Sequence, residues 1–356
     1  MARRHDNLFP QIANFEALRT AARRAIRGKR KKRGGAACQF ALERELLKLE
    51  RELLAGTYQT GQYVEIHLTR PKKRLVSAAP FRDRVVQHAL LAIAGPVFER
   101  GFIGNTFANR VGKGTHKAIA AYETYRDRHA HVLRCDIFRY FPAIDHEILK
   151  ADFRRRIRCQ RTLRLMDTII DGSNEQEPVN LHFPGDDLLT PALRRRGLPI
   201  GNLMSQFSAN VYLDPLDHFC TEVLRAPYVR YVDDFALFAD DIEKLADWQR
   251  RIDAFLVRRR LRLHPRKTFI TETAGPVEFL GLVLHGNGKR ALPEANIQAF
   301  KGRLKGMIAA VRAGTVSRGE ASKKIASWEA HADHAHAYAA RRAILGRGLR
   351  QLRSGT

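Results

Sequence analysis

The chain has 356 residues, enough for roughly one to three domains, and its 63 Lys and Arg against 37 Asp and Glu give a formal net charge of +26. Such a positive surface suits a polyanion such as nucleic acid, although a merely basic soluble protein is the plainer interpretation. Four cysteines without paired spacing argue against a disulfide framework or a CxxC zinc site. Neither a signal-like amino terminus nor an uncharged run of about 18 residues occurs. We therefore expect a soluble, cytoplasmic protein.

The first part of the chain is predicted to be mainly helical. Residues 11–33 are typical of a helix that enters a basic run, RRAIRGKRKKRGG, which we interpret as a nucleic-acid contact or, more plainly, as a solvated loop. Residues 40–58 have leucines at helical spacing and predict an amphipathic helix that ends at Gly56. Alternation over 63–79, around a Pro-Lys-Lys turn, predicts a β-hairpin, and helical spacing returns over 81–102.

The middle of the chain mixes strands with helices. HVLRCDIFRYF (131–141) predicts a buried strand followed by aromatic residues, and 145–157 predicts a helix with Asp145 as its N-cap. The polar, turn-rich residues 172–190 are interpreted as a surface insertion. A glycine-bearing loop then becomes a helix over 197–219.

The stretch RYVDDFALFAD (230–240) predicts a hairpin with two adjacent aspartates at its turn. The remaining predictions are a helix followed by a short strand (244–265), a further strand (277–285) and a basic helical tail (294–352). Strands mixed with helices, followed by a helical tail, predict an α+β fold with a helical appendage.

The two aspartates of this turn, Asp233 and Asp234, repel each other unless a cation neutralises them. Mg²⁺ accepts carboxylate oxygens and keeps positions for water and substrate phosphates. If Asp136, at the end of its strand, lies on a strand next to the hairpin, Asp136 and Asp233 would hold two ions about 3.5–4 Å apart for an in-line phosphoryl transfer. Asp234 would then be secondary. The plainer interpretation of the aspartate pair is an exposed turn.

The motifs around these aspartates resemble those of prokaryotic reverse transcriptases. YVDD (231–234) resembles the YxDD signature, and CDIFRYF, with an aromatic residue five positions after Asp136, resembles the first catalytic motif. Further stretches resemble the finger and palm motifs in order: RLVSAAPFRDRVVQHAL (74–90), NTFANRVGKGTHKAI (105–119), GLPIGNLMSQFSANVYL (197–213), RLHPRKT (262–268) and EFLGL (278–282). The resemblance extends over residues 4–340, nearly the whole chain.

The resemblance implies a right-hand polymerase, in which fingers, a palm with an antiparallel sheet and flanking helices, and a helical thumb follow one another. The implied domains are an N-terminal basic and helical segment (1–62), fingers (63–130), palm with an insertion (131–290, insertion 172–190) and a helical basic thumb (291–356). The implied activity is RNA-directed DNA polymerisation, with Mg²⁺ as the cofactor, as two ions, and Mn²⁺ as the alternative ion.

A finer resemblance depends on IGNLMSQ (200–206), where group II intron enzymes typically carry QGxxxSP and this chain has Ile200 and Gln206. This form, with the opening RRHDNLFPQI and a tail containing SWEAHADHAHAY, is similar to the reverse transcriptases of diversity-generating retroelements. Those enzymes copy a template RNA with errors at adenines, aided by a small basic accessory protein. Antiphage defence reverse transcriptases carry related motifs and are the alternative.

The resemblance also implies the catalytic and metal-binding residues. Asp136, Asp233 and Asp234 would be the metal-binding carboxylates, with the backbone carbonyl of Ile137 as a further ligand. Lys267 resembles the lysine proposed to protonate departing pyrophosphate, and a solvated surface lysine is the alternative.

Substrate and primer contacts are implied in the same way. The implied substrate-binding residues are Arg74, Arg110, Phe141, Ile200, Gly201, Ser205, Gln206 and Tyr231. The ring of Phe141 would block the 2′-hydroxyl of a ribonucleotide, and its alternative is core packing. Phe279, Leu280 and Gly281 resemble the primer-grip hairpin, in which the glycine allows close approach of the primer backbone.

The implied partners are template RNA, primer or cDNA, dNTPs and a small basic accessory protein, with no membrane, in a protein encoded by a prokaryote or a phage. A catalytically inactive RNA-binding scaffold and an RNA-templated RNA polymerase are two further alternatives. Three mutually repelling carboxylates argue against the scaffold, and Phe141 argues against the RNA polymerase.

Overall fold

The computed structural model describes residues 4–27, 42–68, 74–174, 176–333 and 335. The predictions for the basic run after Arg27, the tip of the 63–79 hairpin and the tail from residue 336 therefore lie outside the described residues.

The structure contains two compact units, which interleave along the sequence. The first unit comprises the described residues within 1–114, 134–237 and 246–269, and the second comprises those within 115–133, 238–245 and 270–356. The division into N-terminal segment, fingers, palm and thumb stays a prediction.

Helices form most of the described chain. Numbered in order, they are α1 (Phe9–Ile12), α2 (Phe15–Ile26), α3 (Leu42–Ala55), α4 (Phe81–Glu99), α5 (Thr115–Arg126), α6 (Tyr140–Ala143), α7 (His146–Arg156), α8 (Gln160–Asp171), α9 (Thr190–Leu193), α10 (Leu203–His218), α11 (Ile242–Arg258), α12 (Glu294–Arg312) and α13 (Arg318–Ala332). A π-helical turn, Phe219–Val223, continues α10. No helix of the described ranges is both long enough and apolar enough to cross a bilayer.

The strands form three antiparallel or mixed groups. They are β1 (Val64–Leu68), β2 (Arg74–Ala78), β3 (His131–Cys135), β4 (Tyr228–Tyr231), β5 (Asp234–Ala239), β6 (Phe269–Glu272), β7 (Val277–Phe279), β8 (Leu282–Leu284) and β9 (Arg290–Ala291). β1 and β2 form a hairpin, the central sheet has the order β4-β5-β3-β6, and β7-β8-β9 form an antiparallel sheet. Helices mixed with antiparallel strand pairs confirm the predicted α+β class.

Helix α3 follows directly from its leucine spacing. Leu46, Leu49 and Leu53 are all buried, as expected for one face of a helix, and the interleaved charged residues lie mostly outside the core. The chain leaves the helix at Gly56, whose φ of +73° suits glycine because it has no Cβ. The predicted amphipathic helix and its end are confirmed.

Helix α7 begins where the sequence predicts an N-cap. The Asp145 carboxylate accepts a hydrogen bond from the Ile148 amide at 3.1 Å, which satisfies one of the unpaired amides of the first turn. Asp145 is fully buried and also pairs with Arg260 at 2.6 Å. The cap therefore fastens this helix to the residues that follow α11.

Two strand predictions are wrong in detail. The short strand expected near residue 263 is a single bridge between Leu263 and Ile137, and the strand beyond it, β6, was not predicted. The strand expected over 277–285 is a hairpin, β7 and β8, because Leu280 and Gly281 both have positive φ and reverse the chain.

The core of the first unit lies around the β4–β5 hairpin. Its strands are buried on both faces, so their sequences are continuous apolar runs and do not alternate between apolar and polar residues. The residues without exposed surface are Tyr228, Val229, Phe235, Ala236 and Leu237. From α10, Tyr212 and Leu213 are buried equally, and the hydroxyl of buried Tyr140 donates to the carbonyl of Ala209 at 2.5 Å.

Candidate active site

The turn of the β4–β5 hairpin has two residues. Tyr231 pairs with Asp234, so Val232 and Asp233 form the loop. Val232 has a φ of +60°, which a β-branched residue rarely adopts and which needs support from its surroundings. Buried Arg230 gives that support, because one of its guanidinium nitrogens donates to the Val232 carbonyl at 2.8 Å.

Asp136 follows directly after β3, which is next to β5 in the central sheet. The Phe138 amide donates to the Arg262 carbonyl at 2.9 Å, and the His264 amide donates to the Asp136 carbonyl at 2.8 Å. These bonds involve neither the amide nor the carbonyl of Ile137, whose side chain is buried. The structure therefore fixes the backbone of Asp136 beside the hairpin turn.

Two cations lie against the carboxylates. The guanidinium of Arg134, in β3, donates to Asp234 Oδ1 at 2.8 Å, and both side chains are largely buried. Lys267 Nζ donates to Asp136 Oδ2 at 2.8 Å, and the Lys267 side chain is 47% exposed. Lys267 thus has freedom to leave its partner, whereas Arg134 is held in the sheet.

The third carboxylate, Asp233, has a strongly raised pKa. Burial raises the pKa of Asp233 to about 6, and the negative charges of Asp136 and Asp234 add to the effect. Burial also raises the pKa of Asp234, although the Arg134 charge opposes this. The charge of Asp136 therefore acts on both Asp233 and Asp234.

A metal ion fits the chemistry of these donors. Carboxylate oxygens are ligands that Mg²⁺ accepts, and a cation would offset both the burial and the neighbouring negative charges that raise the pKa of Asp233. Within the described ranges, no group of three His, Cys, Asp or Glu side chains is already arranged around a metal position. Asp136 and Asp234 instead each use one oxygen for Lys267 and Arg134.

The loop before α10 is fastened to the first catalytic motif. The Leu198 amide donates to the carbonyl of Phe141 at 3.0 Å, and the Gly197 amide donates to Ile144 at 2.8 Å. The half-buried Phe141 ring lies edge-on to Tyr140 at 5.6 Å. The predicted steric role of Phe141 stays a prediction.

The same loop is also fastened to β2. The Ser77 amide donates to the Ile200 carbonyl at 3.1 Å, and the buried Asn202 side chain bonds the Ser77 carbonyl and the Ala79 amide. Gly201 has a φ of +105°, and a Cβ there would lie 3.0 Å from a methyl group of Val76. Glycine is required at this position for both reasons.

Other predicted substrate contacts lie around this loop and hairpin. Arg74 is exposed at the start of β2, Tyr231 is half-buried at the end of β4, and Ser205 is buried in the first turn of α10. Gln206 and Arg110 line an open cavity of about 740 Å³. Their contacts with substrate stay predictions.

Arg110 uses its donors within the protein. Its Nε donates to Glu99 at 2.7 Å, and its Nη1 donates to the carbonyls of Ile103 and Thr106 and to the Thr106 hydroxyl. The guanidinium also lies 5.3 Å from the centre of the Phe102 ring. These contacts hold the loop 103–110 together, and the predicted substrate contact of Arg110 would require some of them to break.

Phe279, Leu280 and Gly281 belong to the second unit. Phe279 is fully buried and stacks on Tyr122 at 4.6 Å between ring centres. Leu280 and Gly281 form the turn between β7 and β8, with φ values of +50° and +79°. The primer-grip role stays a prediction.

Sequence reasoning missed the buried polar partners of the site. Arg134 lies in VLRC and Arg230 in YVRY, and a charge inside an otherwise apolar strand must find a partner when it is buried. Arg134 pairs with Asp234, and Arg230 pairs with Asp217. The sequence therefore indicates that Arg134 and Arg230 need partners, but it does not indicate which residues those partners are.

Comparison with known proteins identifies a family for most of the chain. Residues 67–284, well over half of the chain, match the family model described as reverse transcriptase (RNA-dependent DNA polymerase). Protein YkfC of Escherichia coli K12 is 28% identical over 191 residues, which are 52% of this chain and 47% of YkfC. The chain therefore spans about half the length of that relative.

Proposed function

Because the chain belongs to the reverse transcriptase family of RNA-dependent DNA polymerases, we propose that it copies an RNA template into DNA by adding dNTPs to a primer 3′-hydroxyl. The observation that supports this most directly is the placement of Asp136, Asp233 and Asp234 at and beside a tight hairpin turn, where burial and the other two charges raise the pKa of Asp233. The family assignment and α+β class are consistent with a right-hand arrangement of fingers, palm and thumb.

In this proposal the carboxylates would hold two Mg²⁺ ions, or Mn²⁺. Asp136 and Asp233 would be the principal ligands, with Asp234 and the Ile137 carbonyl adjacent to them. Bound Mg²⁺ supplies positive charge where the reacting phosphate becomes more negative. The fixed backbones of the Val232–Asp233 turn and of Asp136 keep the carboxylates oriented for this purpose.

Lys267 has two roles in this proposal. Its ammonium group donates to Asp136 at 2.8 Å and offsets the negative charge there. When that pair opens, the half-exposed ammonium group would donate a proton to the departing pyrophosphate.

The biological role that we propose is mutagenic copying of a retroelement template RNA, in diversity generation. The sequence form IGNLMSQ supports it, and a small basic accessory protein would then assist. Antiphage defence is the second candidate. Template and variable repeats near the gene, together with errors concentrated at template adenines, would favour diversity generation.

Primer extension on an RNA template with Mg²⁺ and dNTPs tests the activity. Asp233→Asn keeps the side-chain shape and removes the charge, so we expect extension to disappear. Asp247→Asn is the matched control, because Asp247 lies half-exposed on α11 and pairs with Arg250 and Arg251 on the same helix. Extension by the control but not by Asp233→Asn would support the proposal.

Two results would contradict it. If neither the unsubstituted chain nor the control extends a primer, even with the cellular RNA and accessory protein, the RNA-binding scaffold becomes the better interpretation. If NTPs are incorporated in place of dNTPs in parallel reactions, the protein is an RNA polymerase.

A further inference from the structure

Arg230 is a buried cation three residues before Asp233. Its side chain is 1% exposed, and its Nε and Nη2 donate to the two carboxylate oxygens of Asp217 at 2.6 and 2.5 Å. Asp217, in α10, also accepts a hydrogen bond from the Tyr228 hydroxyl at 2.8 Å. The guanidinium therefore has a fixed position, because a buried charge is retained only with such partners.

The remaining nitrogen of this guanidinium reaches the catalytic turn. Arg230 Nη1 donates to the Val232 carbonyl at 2.8 Å and to Asn210 Oδ1 at 3.2 Å. Val232 is the residue with a φ of +60°, and the next residue is Asp233. The buried Arg230 side chain thus contacts the backbone of Val232, the residue whose positive φ is unfavourable for a β-branched side chain.

The backbone of Arg230 is anchored as well. Its amide donates to the Asn105 carbonyl at 3.0 Å, and its carbonyl accepts from the Phe107 amide at 3.1 Å. Asn210, which accepts from the guanidinium, donates to the Ala108 carbonyl at 2.8 Å. The turn is therefore tied to the interior through Arg230 and to the loop 105–108.

We propose that Arg230 is a positioning residue, which holds Val232 in its left-handed conformation and thereby directs the Asp233 carboxylate towards Asp136. This inference rests on the proposed polymerase function, since the benefit of positioning is seen in the reaction. A purely structural ion pair between Arg230 and Asp217 would stabilise the fold equally whatever residue occupied position 232. A positioning role depends on the conformational preference of that residue.

A double-mutant cycle separates the two roles. Arg230→Lys keeps a positive charge for Asp217 but has no planar fork with a second nitrogen for Val232. We expect this substitution to lower kcat for primer extension about tenfold or more, with a smaller change in KM for dNTP, because small displacements of a catalytic group are costly.

The same substitution is then made in two further backgrounds. In the Val232→Gly background, Arg230→Lys should lower kcat about twofold or less, because glycine adopts positive φ without steric cost. In the Val232→Ala background, the loss should remain about tenfold, because alanine has a small side chain but keeps the Cβ that disfavours positive φ. Equal losses in all three backgrounds would overturn the proposal.

Unfolding by urea, measured on the same proteins, provides a readout that is independent of activity. We expect Arg230→Lys to destabilise the chain less in the Val232→Gly background than in the Val232→Ala background. If the unsubstituted chain extends no primer, the proposed function fails and this comparison alone decides whether Arg230 holds the turn. If Arg230→Lys does not fold, Asp217→Asn replaces it in the cycle, with the same pattern expected.

Discussion

Asp233→Asn should make the metal-free protein more stable while it removes the proposed activity. Burial and the neighbouring carboxylates raise the pKa of Asp233 from 3.8 to about 6, which means that the folded protein disfavours the charged form. Asparagine has nearly the same shape and no charge. The substitution therefore removes a repulsion without creating a cavity.

The size of the effect follows from the pKa. Each pKa unit corresponds to about 1.4 kcal/mol, so a rise from 3.8 to about 6 corresponds to about 3 kcal/mol. Because Asp233 retains part of its exposure to water, we expect a gain of about 2–3 kcal/mol in the free energy of unfolding.

The pH dependence has a definite sign. The folded pKa of Asp233 lies above the unfolded value, so the folded protein binds more protons between about pH 4 and pH 6. The contribution of Asp233 to the free energy of unfolding should therefore fall as pH rises through this window. Above about pH 6 the difference from Asp233→Asn should be constant, and below about pH 4 it should vanish.

Urea unfolding in EDTA at several pH values between 4 and 8 measures this difference. Near pH 7 we also expect the thermal midpoint of Asp233→Asn to be about 3–6 °C higher. Asp247→Asn, on the surface of α11, should show a small difference that does not change across this window. Added Mg²⁺ should reduce the advantage of Asp233→Asn, because ligand binding stabilises only the protein that binds it.

Two results would refute this reasoning. If Asp233→Asn is no more stable than the unsubstituted chain at pH 7, the carboxylate is not penalised in the folded protein. If its advantage is the same at pH 4 and pH 7, the gain comes from packing or hydrogen bonding and not from charge.

Three further predictions concern neighbouring parts of the molecule. Gly201→Ala should destabilise the chain by about 1–3 kcal/mol and reduce primer extension, because φ is +105° and the added Cβ would lie 3.0 Å from Val76. Urea unfolding and extension assays measure the two effects. Gly302→Ala, in the middle of α12 with nothing within 4 Å of the added Cβ, is the control and should be neutral or stabilise by up to about 1 kcal/mol. Lys267→Met should strengthen Mn²⁺ binding, measured by the electron paramagnetic resonance of free Mn²⁺, because a competing cation is removed 2.8 Å from a carboxylate oxygen, and unchanged or weaker binding would contradict this. Phe141→Ala should raise incorporation of NTPs relative to dNTPs by about 10–100-fold in parallel extension assays, and an unchanged ratio would assign the ring to packing alone.

Local features of the sequence were enough to predict several elements. The leucine spacing of α3, its end at Gly56 and the capping of α7 by Asp145 depend on neighbours within a few residues. The hairpin with a tight turn at Asp233 is predicted in the same way, because alternation and turn chemistry act over short distances, although Asp234 begins β5 and is not part of the turn. The order of the motifs then predicted the family.

Tertiary structure alone decided which charges meet. The adjacency of β3 and β5 brings Asp136 to the hairpin turn, although about 100 residues separate them in the chain. It also pairs Arg134 with Asp234 and Arg230 with Asp217. A charged residue that interrupts an apolar strand can be recognised from the sequence as a buried charge, but its partner depends on the order of the strands.

The same reason explains the two corrections to the predicted strands. Residues around Leu263 form a single bridge to Ile137 and not a strand, because the chain there meets only a short segment after β3. The stretch around Phe279 reverses at Leu280 and Gly281, where positive φ values are favoured by the completed hairpin. Composition and periodicity predicted the class of fold, and the resemblance of the motifs predicted which carboxylates would bind metal. Long-range pairing determined how they are held, because backbone hydrogen bonds and buried ion pairs form only between segments that the whole fold brings together.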